Sequence, residues 1–339
     1  MIQVLKETTS NYHYFVSQLI EGVSKRMGER YSIQVYKVMK NNSLELDSLV
    51  MQKEGENFAP NIYLEPYYEA HLQGVSISEL ADRISNIYRS SDYAVVDDKF
   101  DFTFENMRPH IIYRLVSYER NEKLLTGIPH VRYLDLAVTY HCLVLSDEDG
   151  IGTIRITNEH MKKWKVELSQ LQEAAACNTQ RIFPGTIRKM EDVIKGIISG
   201  EFDEWQGEIK RRRTAKAEGR MEESRETEDR TGKLKEGRQD TDHEEGYKMY
   251  ILSNTSGING ASCLLYPDLL RDFSEYIQSD FYVFPSSIHE VILLPAADKK
   301  SGQRYAEMVR SINATQVAEE EVLSDGVYFY SRTEGLTLL

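Results

Sequence analysis

The stretch FYVFPSSIHEVILLP, from Phe281 to Pro295, holds two short runs rich in aromatic and branched apolar residues on either side of Pro-Ser-Ser. Runs of that length bounded by turn formers read as strands. Working outward, MYILSN from Met249 is a further strand, and a helix from Ala261 to Ile277, interrupted near Pro267, leads into the pair. Beyond it come a helix from Gly302 to Asn313 and a last strand, VYFYSR. The order β-α-β-β-α-β is the split βαβ arrangement of ferredoxin-like folds. The expected class is α+β, with mixed or antiparallel sheets and packed helices.

Upstream, residues 208–246 (EIKRRRTAKAEGRMEESRETEDRTGKLKEGRQDTDHEEG) contain no aromatic residue and nearly balanced acids and bases. Such a stretch cannot bury enough apolar area to offset its ordering entropy, so it reads as a connector, disordered or forming one charged helix. The chain then divides into a block of residues 1–200, with 1–95 and 109–200 as sub-units, the connector, and a block of residues 247–339.

In the first block, Phe15, Val16, Leu19, Ile20 and Val23 mark one face of a helix ending near Met27. SIQVYKVMK and LELDSLVMQK form strands around Asn41-Asn42-Ser43, a hairpin junction because asparagine tolerates positive φ. NIYLEP is a third strand, and SISELADRISNIY begins on a serine cap. HIIYRLVSYE is a strand and Asn121–Leu125 a short helix. YLDLAVTYHCLVL, Tyr133 to Leu145, is the most apolar strand and pairs across SDEDG with IGTIRIT. A mostly helical stretch follows, with Leu168, Leu171, Ala174, Ala175 and Asn178 on one face.

The net charge of −13 repels phosphate backbones, which argues against nucleic acid as a partner. The basic cluster Arg211–Lys216 is neutralised by acids just downstream. No run approaches the ~20 apolar residues of a membrane span, and MIQVLKETTSNYHYF lacks a basic region leading into an apolar one. A cytoplasmic protein is expected. Cys142, Cys177 and Cys263 read as small buried thiols in a reducing compartment. No HExxH, CxxC or carboxylate loop announces a metal, and no fingerprint announces a cofactor, so neither is expected.

Particular residues carry a resemblance: NNSLELDSLV from Asn41, IYLEPYYE from Ile62, SYERNEKLL from Ser117, YLDLAVTY from Tyr133, TNEHMKKW from Thr157, PSSIHEVILLP from Pro285 and INATQVAEEEVLSDGVY from Ile312. In these the chain resembles a bacterial family, domain of unknown function 5688, over nearly its whole length outside the connector. More distantly, the LDLAVTY strand, the asparagine ending the long helix and the HEVILL strand are similar to the YtpQ-like family. Neither resemblance implies an activity.

Three places carry groups that could do chemistry. On a strand Ser287 and His289 would share a face, and with Glu290 they supply a nucleophile, a base and an acid. The same serines suit a turn in which they satisfy backbone groups. Asp135, inside an apolar strand, needs a partner, for which Arg132, Arg181 and Asn178 are at hand. Gly257-Ile258-Asn259-Gly260 lies between strand and helix, where backbone N–H groups receive anions. Asp135, Asn178, Asn259 and His289 are therefore the ligand-binding candidates, and Ser287, His289 and Glu290 the catalytic ones. With no complete catalytic signature, the expected function is a non-catalytic interaction or regulatory protein with a protein partner. The alternative is a small-molecule hydrolase built around Ser287 and His289.

Overall fold

The four residues Phe281–Phe284 are all buried. A strand shows alternate residues to opposite faces, so this pattern requires cover on both sides of the sheet. A computed structural model describes residues 2–54, 61–90, 102–146, 151–199 and 248–339. By contacts the chain divides into one unit of Met1–Met107 with Arg120–Thr126, and another of Arg108–Glu119 with Gly127–Leu339.

In the first unit, α1 (Ile2–Met27) leads into β1 (Tyr31–Met39), β2 (Glu45–Lys53) and β3 (Asn61–Tyr63), an antiparallel sheet in that order. Then come α2 (Glu65–Leu72), α3 (Ile77–Ser90), α4 (Phe104–Met107) and α5 (Glu122–Leu125). Phe15, Leu19 and Val23 of α1 are buried against Leu49 and Met51 of the sheet and Leu80, Ala81 and Ile84 of α3. Burying each such side chain contributes about 1.5–3 kcal/mol. Asn42 and Ser43 take positive φ at the β1–β2 junction, and Ser76 Oγ accepts from Glu79 N at the start of α3, 3.2 Å. Asn42 and Asn121 exchange hydrogen bonds, Asn42 N to Asn121 Oδ1 at 2.8 Å and Asn121 Nδ2 to Asn42 Oδ1 at 3.0 Å.

The second unit holds two sheets. In the smaller, β6 (Leu136–Ser146) pairs with β4 (Ile111–Ser117) on one edge, and with β5 (His130–Tyr133) and then β7 (Ile151–Arg155) on the other. α6 (Asn158–Trp164) and α7 (Leu168–Ile182) follow, and α7 packs on β4. The larger sheet is built from β8 (Gly185–Lys189), β9 (Tyr250–Asn254), β10 (Phe281–Phe284), β11 (Val291–Pro295), β12 (Tyr328–Ser331) and β13 (Gly335–Leu338), in the order β13-β12-β10-β11-β9-β8. α8 (Met190–Ser199) follows β8, a 3₁₀ segment (Gly260–Leu265) and α9 (Leu269–Ile277) precede β10, and α10 (Gly302–Gln316) precedes β12. Asp268, at φ +64°, turns the chain between the 3₁₀ segment and α9 just after Pro267.

The fold is α+β, and every strand pair among the described residues is antiparallel. Both expected split crossovers are present: β9 and β10 run parallel with β11 between them, and β11 and β12 run parallel with β10 between them. The strand order is nonetheless not ferredoxin-like. The hairpin β10–β11 occupies the centre, where a ferredoxin-like sheet has its first and third strands. Phe273 of α9 covers one face, stacking edge-on at 5.1 Å with Phe281, and Tyr305 of α10 meets Tyr282 edge-on at 5.0 Å on the other.

The grouping by contacts differs from a boundary at the connector. β8, from before residue 200, pairs along its whole length with β9, from Gly185↔Asn254 to Lys189↔Tyr250. The stretch 208–246 itself lies outside the described residues. Among the described residues no helix is long and apolar enough to cross a membrane.

Candidate functional site

Strand β11 begins at Val291, so Ser287, His289 and Glu290 belong to the loop between the two central strands and not to a strand face. That loop is tied on two sides. Toward 321–324 it makes Ile288 N to Glu321 O (2.9 Å), Leu323 N to Ser286 O (3.1 Å) and Ser324 N to Pro285 O (3.0 Å). Toward the turn after β9 it receives Ala261 N on Ile288 O (3.2 Å) and Ser253 Oγ on His289 O (2.8 Å).

Ser287 Oγ accepts from the backbone N–H of His289 at 3.0 Å. The imidazole is held at both ends. Nδ1 accepts from Asn259 N at 3.3 Å, and Nε2 lies 3.4 Å from Glu321 Oε1. A neutral imidazole has one acceptor nitrogen, and here a backbone N–H faces it. Glu290 is exposed.

Asp135 sits outside a strand as well, in the two-residue turn Leu134-Asp135 between β5 and β6, with Leu134 at φ +57°. Its partners are hydroxyls. Ser324 Oγ donates to Oδ2 at 2.5 Å, and the Tyr328 hydroxyl donates to Oδ1. Ser324 and Tyr328 are 2% and 0% exposed, so neither hydroxyl has water as a substitute. Burial, followed by the Asp135 charge, pushes the Tyr328 phenol far up. Arg132 instead lies over the Tyr118 ring at 4.4 Å, and Arg181 donates to Pro109 O at 3.0 Å.

Asn178 is a backbone clamp. Its Nδ2 donates to Arg108 O (2.7 Å) and Ile111 O (3.0 Å), fixing the start of β4 on α7. Asn259, at φ +52°, lines a cavity together with Tyr113, Arg114 and Ser262. Asp135, Asn178 and His289 thus serve three separate junctions, and of the candidates only Asn259 borders this cavity.

The sheet face behind Arg114 is basic. Cross-strand pairs Arg114↔Thr139 and His141↔Arg155 put these four residues on one side. Thr139 Oγ1 lies 3.1 Å from His141 Nε2. Burial, then the charges of Arg114 and Arg155, hold the His141 imidazole well below its ordinary value. In the unfolded chain this ring takes up a proton near pH ~6.5, while in the fold it stays neutral, so acid favours unfolding. Urea titrations should show stability falling by up to about 1.4 kcal/mol per pH unit below ~6.5, until the folded ring also protonates. In His141→Asn that part of the slope should vanish; an unchanged slope would remove His141 as its source.

The family described as "Family of unknown function (DUF5688)" matches residues 12–332. The chain belongs to this family. No curated protein and no solved structure matches it. In this DUF5688 chain no group of three or more His, Cys, Asp or Glu side chains is placed to hold a metal ion, among the described residues. The sequence reading missed Tyr113, Arg114 and Ser262. For Arg114 a signal existed: like Asp135, it is the one charged residue within an apolar run, here IIYRLV.

Proposed function

We propose that the chain is a non-catalytic interaction or regulatory protein, working by recognition and not by making or breaking bonds. One observation carries this reading: the serine–histidine pair of the central loop is committed to holding the loop. A nucleophilic serine needs its hydroxyl on the acceptor nitrogen of its base. Here the hydroxyl takes the amide of His289, and the imidazole faces Asn259 N and Glu321. The net charge of −13 disfavours nucleic acid as the partner and leaves a protein as the expected one.

The test offers the purified chain nitrophenyl acetate and nitrophenyl phosphate beside Ser287→Ala and His289→Ala. The expected result is no turnover above buffer in any of the three, with His289→Ala less stable by about 1 kcal/mol for each hydrogen bond lost. Turnover that is present in the parent and gone from both variants, each folded by circular dichroism, would establish the hydrolase instead.

A further inference from the structure

Helix α8 packs on β8, yet none of its ten residues is buried. Ile194, Ile197 and Ile198 are 48%, 59% and 81% exposed. Their i, i+3, i+4 spacing puts all three on one face of the helix. Helices in proteins owe most of their stability to packing such a face, and here solvent meets it. Glu191 continues the same row, one turn before Ile194. Burial, then Tyr276 and the Glu191 charge, raise the Tyr250 phenol, so Glu191 and the half-exposed Tyr276 of α9 meet at one end of this face.

Single apolar residues on a surface need no explanation, but a cluster of large ones marks a contact. The uncovered area of the three isoleucines and Tyr276 is on the order of 400 Å². Doubled by a two-fold axis and extended by its polar rim, the patch buries about 800–1,000 Å², the size of a weak, reversible interface. The charges suit a second copy of the same face. Glu191 and Lys195, four residues apart, flank the isoleucines on one side. A two-fold axis perpendicular to α8 reverses the helix and sets each flank against its own counterpart. Glu191 of either copy then faces Lys195 of the other, offset by about 6–8 Å along the axis at 1.5 Å per residue, which two long side chains span. Antiparallel packing also opposes the two helix dipoles.

We propose that α8 is a self-association site: two copies of the chain pack α8 against α8 in antiparallel orientation, with Ile194, Ile197 and Ile198 at the centre and Glu191–Lys195 pairs at the edge. This contact is independent of the recognition proposed above and does not require it.

Sedimentation velocity of the full chain across a concentration series tests this. A monomer–dimer equilibrium is expected, with a dissociation constant on the order of 10 μM. Ile198→Glu places a charge at the centre and should weaken the dimer about tenfold or more. Because that side chain is exposed in the monomer, the variant should fold as the parent does, which circular dichroism checks. Glu191→Lys and Lys195→Glu each set like charges against one another and should weaken the dimer about threefold or more. An equimolar mixture of these two variants restores the opposite pairs only between chains, so it should associate about as tightly as the parent. Met308→Glu, at an exposed apolar residue of α10, should change nothing. A parent that is monomeric at every concentration would overturn the proposal and leave the face to another protein or another part of this chain. So would a dimer indifferent to Ile198→Glu, or one that Met308→Glu disrupts as strongly. A mixture no tighter than its components would overturn the antiparallel arrangement.

Discussion

Asp135→Ala is expected to lower the free energy of unfolding by about 3–5 kcal/mol, because it leaves two buried hydroxyls without the charged acceptor they share. The substitution strips the acceptor from two hydroxyls at once, and both Ser324 and Tyr328 are sealed from water. Each lost bond to a charged group is worth ~1.5–3 kcal/mol. Tyr328→Phe removes one donor and leaves Asp135 with the other, so it should cost about half as much. Urea unfolding of the two single variants and the double variant reads the coupling, because neighbours in one network are non-additive. An Asp135→Ala protein within 1 kcal/mol of the parent would show that the carboxylate does not hold the turn.

Gly260→Ala should be comparably damaging for a different reason. Gly260 is buried at the start of the 3₁₀ segment, where a methyl group would overlap Ser253 Oγ and His289 O and stand 2.8 Å from Asn254 N. Two of these are backbone atoms, which cannot rotate away, and the third is the hydroxyl that bonds His289 O. Overpacking typically costs ~1–3 kcal/mol; here the loss of the Ser253 bond and of the Ala261–Ile288 contact adds to it, for about 3 kcal/mol or more. Thermal unfolding against Gly257→Ala, where the added carbon meets nothing within 4 Å, separates crowding from backbone strain. Gly257, at φ +69°, reports strain without crowding, and Gly260, outside the positive-φ region, crowding without strain; a Gly260→Ala protein as stable as the parent would show that its neighbours make room.

Both residues bear on what the sequence disclosed. Features fixed by neighbours in the chain were legible: the face of α1, the positive-φ turn at Asn42, the Ser76 cap and the break at Pro267 each rest on a few adjacent residues. β5, β8 and β13 went unread, because short strands with half-buried residues carry weak alternation. The strand order went unread because element order alone does not say which strands occupy the centre. Asp135 illustrates the limit. Its need for a partner was plain, but the sequence suggested Arg132 and Arg181, while its hydroxyl partners lie 189 and 193 positions away. Arg114 poses the converse case, a charge in an apolar run whose Nε is buried without a hydrogen-bond partner.

The same separation has a bearing on biosynthesis. Everything needed by the unit built on α1 has been translated by Thr126. Its neighbour has no such advantage, since Asp135 and the edge of β8 are made long before Tyr328 and β9 exist. At ~5–20 residues per second, the interval from Asp135 to Tyr328 lasts roughly 10–40 s. During that time the ribosome carries β4–β8 with one sheet lacking most of its strands, a nascent intermediate for chaperones to shield.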